Sequence, residues 1–447
     1  MCAKIADGII IYKGDVKLQP CTKMDDWCFS IQTGVIMKKI LVAVDSFKGS
    51  MTSLEAGNAI KKGIKSILPD TEVRVRPVAD GGEGTTDALI YGRDGVSRER
   101  CYVTGPLGDR ITAEYTIYNA ADGRTAVMEM AAAAGLPLVP ENRRDPMHTT
   151  TYGVGEMIND AVSKGCERFI IGIGGSATND GGIGMLQALG FSCLDADGKD
   201  VPYGAAGLGV LERMIRPDGM FGIDNKSGQK EAEVSRVTGD GEVEFVSKLM
   251  HCSFRIACDV TNPLCGENGC SAVYGPQKGA NPSMIMEMDK WLRYYAALAR
   301  EKFPKADLNE PGTGAAGGLG FAFLTFTNAV LESGIKIVLE ETKLESYVKG
   351  ADVVVTGEGR LDFQTAMGKA PVGVAGLAKK FDIPVLAFAG SVTKDATECN
   401  KNGIDAFFPI LRGISTLEEA MKPENAKQNL IDTAEQAFRL FNICRQA

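Results

Sequence analysis

The chain has 447 residues, of which 44% are hydrophobic and 24% charged, the composition of an ordinary soluble globular protein with room for two or more cores. Its net charge of −8, without any basic run, disfavours nucleic acid and anionic membrane as partners. No apolar stretch reaches the roughly 18 to 20 residues that cross a bilayer, and the 12 irregularly spaced cysteines fit reduced thiols in a cytoplasmic protein.

Residues 1–36 carry no sustained helical or strand period and no signal-peptide architecture, so they read as an extension outside the core. Lys39–Val44 is a buried-type strand running into the polar loop Asp45-Ser46-Phe47-Lys48. Ser53 opens an amphipathic helix through Ala56, Ile60 and Ile64 that Pro69 closes. Glu72–Val78 is a second strand, ending in the loop Asp80-Gly81-Gly82-Glu83. Cys101–Asn119 alternates like antiparallel strands around Gly105-Pro106-Leu107-Gly108. Another strand follows over Thr125–Met130, then a helix over Thr149–Lys164.

Phe169–Ile173 is a short apolar strand that meets Gly174-Gly175-Ser176-Ala177-Thr178-Asn179-Asp180-Gly181-Gly182, after which helical spacing resumes up to Gly190. Strand, glycine-rich loop and helix together present backbone N–H groups to an anion. The plainer reading is a tight turn with Asp180 or Asn179 as the helix cap. The loop matches neither the Walker A pattern nor GxGxxG, so no nucleotide is named by it. Residues 218–244 are polar and read as a surface excursion. Arg255–Val260 is a strand carrying Asp259. His251, Cys252, Cys258, Cys265 and Cys270 cluster in sequence, yet their spacing suits no common zinc site. A second glycine-rich stretch spans Gly312–Gly320. Val353–Val355 then leads into Gly357-Glu358-Gly359-Arg360-Leu361-Asp362, and strands over Pro384–Phe388 and Ala406–Ile410 precede the terminal helices.

Alternating strand and helix units at both ends, around β-rich material, predict a discontinuous α/β domain over 37–100 and 321–447 with a second α/β domain inserted at 101–320. Ligands of open parallel sheets bind beyond the carboxyl ends of the strands, where these polar loops fall. The two domains are therefore expected to face each other across an acidic, glycine-lined cleft. Carboxylates at Asp80, Glu83, Asp180, Asp259, Glu358 and Asp362, with Lys48 and Lys369, suit phosphoryl transfer, which needs positioning and charge neutralisation above all.

From Met37 onward the chain resembles the type-1 glycerate kinase family of bacteria. The resemblance rests on VAVDSFKGS (42–50), PVADGGEGT (77–85), EMAAAAGL (129–136), IGIGGSATNDGGIGM (171–185), ACDVTNPL (257–264), GPQKGA (275–280), PGTGAAGGLG (311–320) and TGEGRLDFQTAMGKAPVGVA (356–375). It implies a flavodoxin-like α/β domain with a second α/β domain inserted, and a cytoplasmic enzyme of organic-acid catabolism. That enzyme would move the γ-phosphoryl group of ATP to D-glycerate with Mg²⁺, giving 2-phosphoglycerate or, in some members, 3-phosphoglycerate. The molecule would be a monomer or homodimer. On that basis Asp180, Lys48, Asp259 and Arg360 are the expected catalytic groups. Ser46, Asp80, Gly81, Gly82, Glu83, Gly174, Gly175, Ser176, Thr178, Asn179, Lys278, Gly317, Gly318, Glu358, Gln364 and Lys369 are expected at substrate or nucleotide. Asp80, Glu83 and Asp362 are the expected Mg²⁺ ligands. Asp362 has capping as its alternative, and Arg360 has pairing with Glu358. A kinase for another hydroxy acid and a non-catalytic sensor are the competing readings.

Overall fold

The computed structural model describes residues 38–217 and 251–446, together with Leu249 and the strand pieces Ile5–Ala6, Ile9–Ile10 and Gly222–Asp224. The expectations for the extension 1–36 and the excursion 218–244 lie largely outside these residues.

In chain order the first elements are β1 (Lys39–Val42), α1 (Ser53–Ile67), β2 (Glu72–Val75), α2 (Thr85–Ile90), β3 (Ser97–Thr104), β4 (Arg110–Ala120), β5 (Gly123–Glu129), α3 (Tyr152–Ser163), β6 (Arg168–Gly172) and α4 (Ile183–Ala188). They are followed by β7 (Ser253–Ala257), α5 (Pro282–Arg300), α6 (Leu319–Phe326), β8 (Ala329–Glu332), α7 (Gly334–Glu341), β9 (Val353–Leu361), α8 (Ala370–Lys379), β10 (Val385–Val392), β11 (Ala406–Pro409) and α9 (Pro423–Gln446).

One sheet has the order β2-β1-β9-β10-β11 and every pairing in it is parallel. This is the flavodoxin-like order, with its topological switch between β1 and β9. Alternate residues of its strands serve opposite layers. Ile40, Val42, Val353 and Val355 pack with α1 and α9, while Leu41, Val354 and Val385 pack with α7 and α8. Helix α1 starts cleanly because Thr52 and Glu55 form a reciprocal cap, the Glu55 carboxylate accepting from the Thr52 N–H at 2.9 Å.

The second sheet has the order β8-β7-β6-β5-β4-β3, parallel from β8 to β5 and antiparallel from β5 to β3. Its core joins Phe169 and Phe254, stacked at 4.8 Å, to residues of α3, α5 and α6. By sheet membership this middle segment runs from Ser97 to Glu332, not from 101 to 320. Residues from 321 onward are expected with the first sheet, but Ala329–Glu332 forms strand β8, which pairs with β7. The chain thus crosses between the sheets twice, between Ile90 and Ser97 and again between Glu332 and Gly334.

β9 also differs from expectation. It continues through the stretch read as a loop, because pairing with β10 persists as far as Leu361 opposite Val392. Glu358 and Arg360 consequently project from a strand.

The sheets meet where β2 and β7 end. A methyl group on Gly334 would lie 2.2 Å from the Asp80 carbonyl oxygen and 2.3 Å from the Gly81 Cα. Gly81 itself has φ +99°, a conformation that only glycine adopts without strain. Gly334→Ala is expected to destabilise the protein by about 2 kcal/mol or more, since backbone rather than a movable side chain is in the way. Gly376→Ala, where nothing lies within 4 Å, is the matched control on helix α8. Equal melting temperatures for the two variants would contradict the close contact. Beside this joint, Arg255 on β7 pairs with Glu332 at 2.8 Å and Glu341 at 3.2 Å, and Arg168 on β6 pairs with Glu341 at 2.8 Å.

Candidate active site

Beyond the carboxyl end of β1 the apolar run ends at Asp45, only 2% exposed, and Ser46, whose N–H donates to an Asp45 oxygen at 2.6 Å. The Asp45 N–H in turn donates to the Gly357 carbonyl at 2.8 Å, which ties this loop to β9 at the topological switch. The Ser46 hydroxyl is buried and has no partner within the protein. Next to it the Phe47–Lys48 backbone packs on Gly359, and Lys48 reaches solvent. Glu358 faces the same space from β9, its carboxylate accepting from the Thr365 hydroxyl.

Asp80, Asp259, Lys48 and Lys369 complete this neighbourhood. Burial pushes Asp45 up to about 7, Asp80 and Glu358 add to the rise, and the Ser46 N–H and Lys48 oppose it. Glu358 is likewise pushed up to about 7 by burial, against its Thr365 hydrogen bond and Lys369, with Asp80 and Asp362 adding to the rise. Asp259 accepts from the Gly334 N–H at 3.1 Å, and burial raises its carboxyl, with Asp80 contributing. Crowded, desolvated carboxylates of this kind suit a cation brought by a ligand.

The sign of the resulting pH dependence follows from these shifts. Between the ordinary carboxylate range and about pH 7 the folded state holds protons that the unfolded chain has released. Stability contributed by Asp45 and Glu358 therefore falls as pH rises through that window. In metal-free buffer, the melting temperature of the wild type relative to an Asp45→Asn/Glu358→Gln double variant is expected to decline from pH 5 to pH 7.5. A constant difference would remove the raised acids from the account.

Several expected site residues lie elsewhere. Asp180 is fully buried, and its two oxygens accept from the Thr151 N–H and hydroxyl at 2.8 Å each, Gly182 N–H at 3.0 Å and Gly184 N–H at 3.4 Å. It clamps the starts of α3 and α4 together and presents no face to solvent. Asn179 and Thr178 are buried too, with the Asn179 amide donating to the Ser271 hydroxyl at 2.9 Å. Gly317 and Gly318 are buried against this same loop, and the Gly317 carbonyl accepts from the Gly181 N–H at 2.9 Å. Lys278 is 2% exposed and donates to the Ser176 hydroxyl at 2.8 Å and the Thr178 carbonyl at 2.6 Å. Of the loop, Gly174 and Gly175 face solvent.

Asp362 takes its alternative role. It caps the short helix Phe363–Ala366 by accepting from the N–H groups of Gln364 at 2.9 Å and Thr365 at 3.2 Å. Arg360 is exposed and lies 3.5 Å from Asp362, so it is not paired with Glu358. Lys369 donates to Gln364 at 3.2 Å on the same rim. Glu83 is exposed and bears on Glu129, whose carboxyl is raised by burial and then by Glu83 and Asp87. Among the described residues no group of three or more His, Cys, Asp or Glu side chains is arranged to hold a metal, so Asp80, Glu83 and Asp362 do not form one ligand set. Asp45 is the acid that the sequence reading missed, although it stands immediately beyond an apolar strand run.

A model of the glycerate kinase family matches residues 40–442. The chain belongs to the glycerate kinase family. It is 44% identical over 402 residues to glycerate kinase of Haemophilus influenzae, spanning 90% of this chain and 98% of that relative. To glycerate 2-kinase of Escherichia coli it is 44% identical over 384 residues, spanning 86% and 93%. A crystal structure from Salmonella typhimurium LT2, assigned there as glycerate kinase 2, superposes with TM-score 0.77 at 42% identity, covering 92% of this chain and all (100%) of that one. Family membership makes the chain a kinase, and the family's α/β fold is the one described above. No helix among the described residues is long and apolar enough to cross a membrane.

Proposed function

We propose that this enzyme transfers the γ-phosphoryl group of ATP to a hydroxyl of D-glycerate with Mg²⁺, and that the product is 2-phosphoglycerate. The observation that carries this reading is the set Asp45, Asp80, Glu358, Lys48 and Lys369 gathered at the switch of a flavodoxin-like sheet in a chain of this family. Support for the 2-position comes from the Escherichia coli relative, which carries the name glycerate 2-kinase.

Lys48 and Lys369 offset phosphate charge from two sides, and the unpartnered Ser46 hydroxyl is free to donate to a phosphate oxygen. Asp45 and Asp80 are the acids best placed to hold a cation, because Asp80 raises the cost of charging both Asp45 and Glu358 and a bound cation lowers it. One or two carboxylates plus substrate phosphates satisfy Mg²⁺ without an all-protein cage. When bound, the ion would supply charge neutralisation on the transferred group.

The assay is purified protein with ATP and Mg²⁺, offered D-glycerate, L-glycerate, tartronate or lactate, with ADP release followed and the product assigned by ³¹P spectroscopy. D-glycerate is expected to give the highest kcat/KM and a 2-phosphate. Faster turnover of another acid would favour the kinase reading with a different substrate, and no ADP with any acid would sink the proposal.

A further inference from the structure

The loop after β6 is fixed by its neighbours on every side but one. Leu136 N–H donates to the Gly175 carbonyl at 2.8 Å, Ala177 N–H to the Ala134 carbonyl at 2.9 Å, and the Thr149 hydroxyl to the Ala177 carbonyl at 2.8 Å. The solvent-facing part is Gly174-Gly175, bare backbone without a side chain. Immediately behind Ser176 lies the Lys278 ammonium, which donates to two neutral oxygens, the Ser176 hydroxyl and the Thr178 carbonyl. The ionisable groups that bear on it are Cys270 and Asp180, and Asp180 is already engaged by four donors.

Burial lowers Lys278 to about 8, so it still carries its proton at neutral pH. A buried cation facing neutral acceptors is costly unless an anion approaches from outside. Its field is weakly screened by the protein between it and the glycine tip. An oxyanion can come close there, because no Cβ stands in the way.

We propose that Lys278 is a positioning residue for the acid substrate, holding the Gly174–Ser176 backbone as a positively polarised seat for the substrate carboxylate. The inference rests on the proposed glycerate kinase activity. A nucleotide phosphate shares the same oxyanion chemistry, and the two sources separate by which KM responds.

The experiment compares wild type, Lys278→Met and Lys278→Arg under varied D-glycerate and varied ATP, with thermal unfolding alongside. Lys278→Met is expected to raise the KM for D-glycerate by about tenfold or more and to leave the KM for ATP within about threefold. Lys278→Arg, which keeps the charge, is expected to recover part of that loss. A folded Lys278→Met with unchanged KM for D-glycerate overturns the inference, and so does a rise confined to the KM for ATP. If the Met variant does not fold, the wild type decides. Its KM for D-glycerate should climb above pH 8 as Lys278 loses its proton, whereas a flat profile rejects the role. In that profile Cys270, whose thiol burial holds at about 11, and the buried Asp180 are the other groups facing Lys278. A wild type inactive with D-glycerate would instead refute the activity itself.

Discussion

Asp45→Asn is expected to lower kcat by roughly 10² or more while leaving the fold intact. The amide keeps the oxygen that accepts from the Ser46 N–H, so the turn after β1 retains its hydrogen bond. Lost instead is the negative charge at the sheet's switch point. A carboxylate there has two uses in phosphoryl transfer, accepting the hydroxyl's proton and holding a cation against the phosphates, and the amide serves neither. Burial keeps Asp45 near neutrality, which suits proton transfer at physiological pH. Steady-state kinetics with thermal unfolding test this. Turnover within threefold of wild type would remove Asp45 from the mechanism, and Glu358→Gln would be the next variant to make.

Asp180→Asn is expected to do the reverse, costing about 2 to 4 kcal/mol of stability. Both Asp180 oxygens accept, and all four of their partners are N–H or O–H donors. An amide must turn its own NH₂ toward one side of that ring, setting donor against donor in a fully buried place. The melting temperature should fall by roughly 5 °C or more. Protein that does fold should keep a kcat within severalfold of wild type, since Asp180 meets no solvent. An unchanged melting temperature with a hundredfold loss of turnover would restore Asp180 to the catalytic set.

These two acids show where sequence reading stops. Strand-and-helix alternation and the polar loops at strand ends point to Ser46, Lys48, Asp80, Glu358 and Lys369 along one edge, because the carboxyl ends of parallel strands share it. The structure sets Asp45, Lys48, Asp80, Glu358 and Lys369 within one another's field there. Glycine and acid in a loop do not reveal which way the acid points. Asp180 turns inward because the starts of two helices converge on it, and that convergence is set by tertiary packing. Lys278 was read as a ligand-binding lysine, yet the 3₁₀ turn Pro276–Lys278 buries it behind the loop. In sequence Asp45 is one polar-loop acid among several at strand ends, with nothing to single it out. Its significance appears only once β9 lies beside β1.

The double passage of the chain between the five-stranded and the six-stranded sheet has a mechanical consequence. A body on one tether can swivel in any direction, but a body held at two points turns only about the line through them. Here the tethers are the passage from α2 to β3 and the step from β8 to α7. Two tethers therefore restrict any turning of one body against the other to the line that joins them. Near one end of that axis the bare backbones of Gly81 and Gly334 touch, a bearing with no side chains to unlock. The ion pairs of Arg168 on β6 and Arg255 on β7 with Glu341 of α7 add short levers that resist the turn.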